Sequence, residues 1–357
     1  MNVTLKDIAR EAGVYPSLVS AVLNNGSYTR ISPERRAAIK AIAARMGYRP
    51  NLQASSLRKG KKSLVGVFLP MWEDVLFIEL IRGLSQEANE LDIPLSFHFG
   101  MKPEHYEKFL KNTLELRHTG IISYGFSQND AGEAARIGAL LEDYIKDGGK
   151  VISIVTGEPL SQNAVTLHFD NAEGGRLAAR YLASRCCRSY ATFVYGKQLV
   201  PQRCRPFAQE LKKLVPDITP ADYIVDSPMP RSEWTAAIDS LFDAAVLPVG
   251  IFVAKGGDFC NYLITRALER GLRPEKDFFV AAYDHPSRYG DSYPMARIIQ
   301  PFCEIGALAV RKFDELRSGR PAVQEKLAPR LFVPSPETDT YLPEFWNDFM
   351  IERNDLK

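Results

Sequence analysis

Apolar residues follow two rhythms along this chain, and the change between them falls near residue 63. Leu5, Ile8, Ala9 and Ala12 recur at three- and four-residue spacing, which predicts a short helix capped by Thr4-x-x-Asp7 and stopped by Gly13. Val14-Tyr15 reads as a turn. Pro16 suits the first position of a second helix, whose apolar face is Leu18, Val19, Val22 and Leu23 and which ends near Asn24-Asn25-Gly26. A third helix starts at Ser32-Pro33-Glu34 and carries Ala38, Ile39, Ile42, Ala43 and Met46 until Gly47. Beyond Ser63 short apolar runs alternate with amphipathic ones. Val65 to Leu69, Leu95 to Phe99, Ile121 to Tyr124 and Val151 to Val155 read as buried strands, separated by helical stretches such as Leu76-Phe77-Leu80-Ile81-Leu84-Ala88-Leu91. A second set follows: a helix after Asp170-Asn171, strands at Tyr190 to Tyr195, Val249 to Val253 and Phe278 to Ala282, and helices from Phe207 and from Phe259 to Arg270. Alternation of this kind predicts two parallel, doubly wound sheets facing a cleft.

Charge sharpens the boundary. Residues 1–62 hold 12 Lys or Arg and 3 Asp or Glu, a net of +9, and the rest of the chain holds 33 and 40, a net of −7, within an overall +2. A small basic head on a mildly acidic body is the footprint of a polyanion partner, because each phosphate neutralised releases condensed counterions. Two short helices joined by a tight turn containing Gly13 form a helix-turn-helix, which reads either as a DNA-binding unit or as a helical interaction module. In the first reading the start of the second helix enters the major groove and places Pro16, Ser17, Ser20 and Ala21 at base edges.

Other chemistry is sparse. The five cysteines, Cys186, Cys187, Cys204, Cys260 and Cys303, are odd in number and lack a CxxC spacing, and there are five His, so buried reduced thiols are expected and neither a disulfide framework nor a metal site. The sequence carries no Walker-type phosphate loop, no GxSxG and no dinucleotide fingerprint, so neither catalysis nor a cofactor is expected. With no leader-like or membrane-spanning run, a cytoplasmic protein is expected.

The head also carries Thr4-Leu5-Lys6-Asp7-Ile8-Ala9, Ala12-Gly13-Val14, Val19-Ser20, Val22-Leu23-Asn24, Gly47-Tyr48-Arg49-Pro50-Asn51 and Ala54-x-x-Leu57. In this order and spacing it resembles the lac repressor (LacI/GalR) family of transcriptional regulators. The resemblance implies DNA contacts from Thr4, Leu5, Tyr15, Asn24, Arg30, Tyr48 and Arg58, and a hinge helix over residues 51–58. A segment that short is not stably helical alone in water and would order against DNA and a second subunit. Leu57 would wedge between minor-groove base steps, Ala54 would pack beside it, and Asn51 would hold a phosphate. Three features depart from the common pattern. Tyr15 stands where Ser is usual before the recognition helix, Ala21 stands where Arg is frequent, and the segment from Gly26 to Ile31 is about two residues longer than in many members. An unusual operator is therefore expected.

In the body the resemblance continues through Phe77-x-Glu79-Leu80-Ile81-Arg82-Gly83, Asp170-Asn171-x-x-Gly174-Gly175-Arg176, Arg203-x-x-Pro206-Phe207 and Tyr283-Asp284. It implies a periplasmic-binding-protein-like body: residues 1–50 as the DNA-binding domain, 51–62 as hinge and linker, 63–345 as the effector-binding and dimerisation domain, and 346–357 as a tail. Within the body the implied amino-terminal subdomain is about 63–168 and 291–328, and the carboxyl-terminal one about 169–290 and 329–345. The effector-site residues implied are Trp72, Asp74, Phe77, Tyr124, Thr156, Arg203, Lys255, Asp284 and Gln300. Arg203 and Asp284 would hold hydroxyls of a sugar-like ligand. Trp72, Phe77 and Tyr124 would either stack on a pyranose face or simply pack the cleft wall. Acids usual in the family are missing near Thr156 and after Pro70, and Lys255 is added, so a cationic cleft with an anionic effector is one expectation. The altered cleft also leaves open a DNA-binding regulator that no longer senses a small molecule. Paired hinge helices imply a homodimer on a near-palindromic operator, and Leu342, Phe345, Trp346 and Phe349 are too few for a tetramer-forming coiled coil.

Overall fold

The computed structural model describes residues 4–23, 31–46, 64–71, 75–115, 118–125, 131–155, 159–195, 199–225, 231–284 and 295–333. The chain divides into two compact units, Met1–Ser63 and Leu64–Lys357.

The first unit contains α1 (Leu5–Glu11), α2 (Pro16–Leu23) and α3 (Pro33–Arg45). Thr4 and Asp7 form a reciprocal capping box at α1, and Ser32 caps α3 by accepting from the Arg35 N–H. Ile8, Ala9, Val19, Val22, Ile39 and Ala43 meet in one small core, where Leu5, Leu18 and Met46 also pack. The apolar periodicity of the three segments thus converges on a single interior, and Arg45 of α3 pairs with Glu11 of α1 at its rim.

The second unit holds two six-stranded sheets. The first is built from β1 (Val65–Leu69), β2 (Leu95–Phe99), β3 (Gly120–Tyr124), β4 (Lys150–Val155), β5 (Val165–Phe169) and β11 (Glu325–Leu327), with strand order β11-β5-β4-β3-β1-β2 and every pairing parallel. The second has β6 (Ser189–Tyr195), β7 (Ala221–Val225), β8 (Val249–Val253), β9 (Phe278–Tyr283), β10 (Ala296–Ile299) and β12 (Arg330–Phe332), in the order β12-β10-β9-β8-β6-β7. Only β12, paired to β10, runs antiparallel among these described strands. β1, β3 and β8 are buried along their whole length, which is why they read as unbroken apolar runs. The helices on the first sheet are α4 (Val75–Glu90), α5 (Pro103–Glu115) and α6 (Ala131–Lys146); those on the second are α7 (Asn171–Ser184), α8 (Arg205–Leu214), α9 (Arg231–Ala244) and α10 (Asp258–Glu269). A last helix, α11 (Phe302–Arg317), returns to the first sheet, where Phe302, Ile305, Ala309 and Phe313 enter the core containing Leu80 and Leu84 of α4.

The passage between lobes after the second sheet differs from the expected one near residue 290. β10 pairs with β9 and buries Ala296 and Ile298 in the second lobe's core, so the chain crosses between Ile299 and Phe302. Residues 295–299 therefore belong to the carboxyl-terminal lobe. Close helix packing explains two glycines: a Cβ at Gly83 would lie 1.9 Å from the Cys303 carbonyl oxygen, and one at Gly306 would lie 2.5 Å from that of Leu80. Cys187, Cys204 and Cys260 are buried, as expected of free thiols, but Cys186 is exposed and Cys303 half-buried. Among the described residues no helix is long and apolar enough to cross a membrane, and no group of three or more His, Cys, Asp and Glu stands ready to hold a metal ion.

Candidate functional site

In the head, Val19 and Val22 point inward and fix the orientation of α2. Its opposite side presents Pro16 and Ser17 to solvent, with Ser20 and Ala21 half-buried beside them, and Tyr15 stands 82% exposed just before the helix. The Tyr15 ring is therefore not part of the head's core and is accessible at the start of α2. Lys6, Arg10, Arg35 and Lys40 are also exposed. Thr4 and Leu5 have structural tasks instead. The Thr4 hydroxyl donates to Asp7 at 2.6 Å, which holds the Asp7 carboxyl below the usual carboxylate range, and Leu5 packs against the core. Asn24, Arg30, Tyr48, Asn51, Ala54, Leu57 and Arg58 lie outside the described residues.

In the body, polar side chains converge at the carboxyl ends of the second sheet's strands, where ligands bind in open α/β sheets. Arg203 lies in a π-helical turn, Val200–Cys204, that leads into α8, and it is 6% exposed. Its Nε donates to Asn171 Oδ1 at 3.0 Å, and its Nη1 donates to the Ala254 carbonyl at 2.7 Å and to Asp284 Oδ2 at 3.3 Å. The guanidinium lies 3.6 Å from the centre of the Tyr283 ring. Gln300 Nε2 donates to the other Asp284 oxygen. Ala254, Asp284 and Gln300 each follow directly on β8, β9 and β10 in turn, and Asn171 opens α7. Three strand ends and one helix start therefore aim at one point.

Local backbone makes this approach possible. A Cβ at Gly174 would fall 2.2 Å from the Tyr283 ring, and one at Gly175 would fall 2.3 Å from the Arg203 carbonyl oxygen. The Gly174-Gly175 pair is thus the gap through which Tyr283 and the π-helical turn reach α7. Asp284 has φ of +75°, in the left-handed region, and is held there by its N–H bond to the Ile298 carbonyl at 2.8 Å. Gly256 donates to the Tyr283 carbonyl at 2.8 Å, and a Cβ there would lie 2.6 Å from that oxygen. Burial pushes the Tyr283 phenol well above its ordinary pKa, with Arg203 opposing, and the hydroxyl has no hydrogen-bond partner among the described residues.

The pair of Arg203 with Asp284 alters the charge expected for the cleft. The guanidinium is neutralised within the protein and Lys255 is exposed, so the arrangement offers a balanced set of donors and acceptors rather than a buried net cation. Arg203 Nη2 has no hydrogen bond among the described residues and remains a donor. Beside the cluster, a cavity of about 420 Å3 is lined by His168 and Phe169 of the first lobe, by Asn171, Pro201 and Gln202 of the second, and by Lys326. Asn171 joins the two, donating to Gln202 Oε1 at 3.0 Å while accepting from Arg203.

Phe77 and Tyr124 do not present stacking faces. They meet edge-on at 5.1 Å between ring centres, pack with Phe302 and lie in the first lobe's core at 5% and 4% exposure. Their apolar surroundings favour burial over a wet cleft, and the packing alternative holds. Trp72, Asp74 and Thr156 lie outside the described residues. Sequence reasoning overlooked Asn171, Gln202 and Tyr283 as site residues. Asn171 and Tyr283 lay inside recognised motifs, and their position directly beside a strand end was the available signal.

Residues 4–51 match the family model described as bacterial regulatory proteins, lacI family. The catabolite control protein A of Priestia megaterium is 27% identical over 321 residues, covering 87% of this chain and 91% of that protein. The ribose operon repressor of Bacillus subtilis (strain 168) is 27% identical over 311 residues, covering 86% and 90%. In structure the chain is similar to the lac repressor dimer bound to operator and the anti-inducer ONPF, with a TM-score of 0.76 and 21% identity over 94% of this chain and 98% of that one.

Proposed function

We propose that this chain is a transcriptional regulator of the lac repressor (LacI/GalR) family, a repressor whose hold on an operator is set by a sugar bound at Arg203 and Asp284, a reading supported by the family match of its head and by the regulators it is similar to. The observation that carries the sensing half is the convergence of Arg203, Asp284, Gln300 and Asn171 at the carboxyl ends of β8, β9 and β10. A neutral pair of guanidinium and carboxylate, already braced by amides, matches vicinal hydroxyls, which donate to the carboxylate and accept from the guanidinium. Relatives that act as a ribose and a sucrose operon repressor support the same ligand class.

The DNA half rests on the basic head. Tyr15, Pro16, Ser17, Ser20 and Ala21 face the major groove, with Ala21 set against a thymine methyl in place of a guanine-reading Arg. Leu57 of a hinge helix wedges the minor groove, flanked by Ala54 and Arg58. The protein acts as a homodimer on near-palindromic DNA in the cytoplasm. Exposed apolar side chains, Met71 after β1, Ile78 on α4, Phe99 on the edge strand β2, Met101 after it and Ile224 on the edge strand β7, are candidates for that pairing. Sugar binding closes the lobes and shifts the paired amino-terminal lobes, so that ligand and operator affinities are reciprocally linked.

Thermal unfolding against neutral sugars, sugar acids and sugar phosphates tests this, because a ligand of the native state raises the midpoint by mass action. A rise with a neutral sugar that vanishes in Arg203→Ala is the expected result. A rise confined to anionic sugars would return the cleft to the cationic reading. No rise at all would favour a DNA-binding regulator of this fold that lacks small-molecule sensing. Loss of operator bending in Leu57→Ala is expected for the hinge, and unchanged bending would remove the wedge.

A further inference from the structure

The opposite edge of the same sheet holds a second cavity. Ser189, Ala221 and Val249, the first residues of β6, β7 and β8, ring a space of about 280 Å3. Arg203, Asp284 and Gln300 cluster at the carboxyl ends of this parallel sheet, so the two sites do not overlap. Small side chains leave the space open: Ala191 and Ala221 from the strands, Ala244 and Ala245 from the end of α9. Its floor is apolar, closed by Leu241 and Val249, both almost fully buried.

The mouth is charged, and with both signs. Arg188 and Asp217 line it, and neither side chain has an ion pair or hydrogen bond among the described residues, although many Arg and Asp of this body are paired. Asp217 lies in the segment after α8, and Ala244 is the last residue of α9, so one helix carboxyl end reaches this edge. Unsatisfied terminal carbonyls favour a cation. Arg188 is the only cationic residue among the described lining. One side chain of each sign, Arg188 and Asp217, therefore stands at the mouth.

We propose that this cavity is a second ligand site, for an α-amino acid with a short aliphatic side chain. Its carboxylate pairs with Arg188, its ammonium with Asp217, and its side chain covers Ala191, Leu241 and Val249. The volume suits a ligand of about eight heavy atoms. The proposal stands whether or not a sugar binds at Arg203.

Isothermal titration of the full chain with L-valine provides the test, alongside isobutylamine, which lacks the carboxylate, and isovalerate, which lacks the ammonium. L-valine is expected to bind at one site per chain, with each analogue weaker by about tenfold or more, the usual loss for a charge-assisted hydrogen bond. Arg188→Gln and Asp217→Asn, both at exposed positions, should each weaken L-valine by about tenfold or more, and Arg203→Ala should leave it unchanged. Absence of binding at about 10 mM L-valine would overturn the proposal. So would binding of either analogue as tightly as L-valine, unchanged affinity in Arg188→Gln, or loss of L-valine binding in Arg203→Ala, which would put the amino acid in the cleft.

Discussion

The two lobes of the body follow the same plan with different chemistry at the same place. Strand orders β11-β5-β4-β3-β1-β2 and β12-β10-β9-β8-β6-β7 are equivalent position by position. At its carboxyl edge the amino-terminal lobe has Phe77, Tyr124, Phe169 and Phe302 closed on one another. At the corresponding edge the carboxyl-terminal lobe has Arg203, Asp284, Gln300 and Asn171 hydrogen-bonded in a network. The fold supplies the place and the side chains decide its use. One edge is an apolar wall and the other a polar network, which the proposed function takes as the sugar grip.

If the polar edge depends on charge pairing, Asp284→Ala should be the most damaging change, since it strands the buried Arg203 guanidinium. A loss of about 3–5 kcal/mol in urea unfolding is expected, together with loss of sugar binding. Loss of binding with stability intact would mean that Arg203 is wet and the site looser than its geometry.

Glycine positions separate architecture from function. Gly175→Ala forces a Cβ onto the Arg203 carbonyl, whereas Gly83→Ala forces one onto the Cys303 carbonyl in the amino-terminal lobe. Both should cost about 1–3 kcal/mol by overpacking, but only Gly175→Ala should weaken ligand binding beyond what the shared destabilisation explains. Equal effects on binding would show that the two edges work as one.

Acid should distinguish the lobes next. His118 is buried in the amino-terminal lobe, both its ring nitrogens lack a hydrogen bond among the described residues, and burial holds its pKa below the ordinary 6.5, with His98 adding to the depression. The unfolded chain therefore binds more protons, so stability is full above pH 6.5 and falls as the pH drops through it, by at most about 1.4 kcal/mol per pH unit for this group. Unfolding midpoints between pH 8 and pH 5 in His118→Phe should show a shallower acid decline than the parent chain.

The smallest effect is expected from Lys255→Ala. An exposed Lys contributes within about 0.5 kcal/mol to stability. Sugar affinity measured by titration should hold within about twofold, and a larger drop for anionic sugars would restore the cationic cleft.

The head was legible residue by residue. Helix spacing, the Thr4 and Ser32 caps and the stop at Gly13 are local effects of side chain and backbone, and all three helices appear where the periodicity placed them. In the body the buried strands could be read because a parallel sheet covered on both faces needs unbroken apolar runs. The crossing between Ile299 and Phe302 could not, since β10 is short and its partner strand is chosen by packing with Ala296 and Ile298.

Sequence by itself determined the kinds of parts, a basic three-helix head and two alternating α/β lobes, and its resemblance to the family pointed to Arg203 and Asp284 as functional candidates. Which side chains meet was decided only in three dimensions. Arg203 is 32 residues from Asn171 and 81 from Asp284, and periodicity reports on neighbours three or four apart, not on contacts across such separations. The same limit hid the fate of the aromatics. Phe77 and Tyr124 read equally well as ligand platforms or core, and their 5.1 Å contact beneath Phe302 made them core. Local sequence sets propensity and pattern. Burial, pairing and the neutral charge of the grip arise only when distant strand ends are brought to one edge.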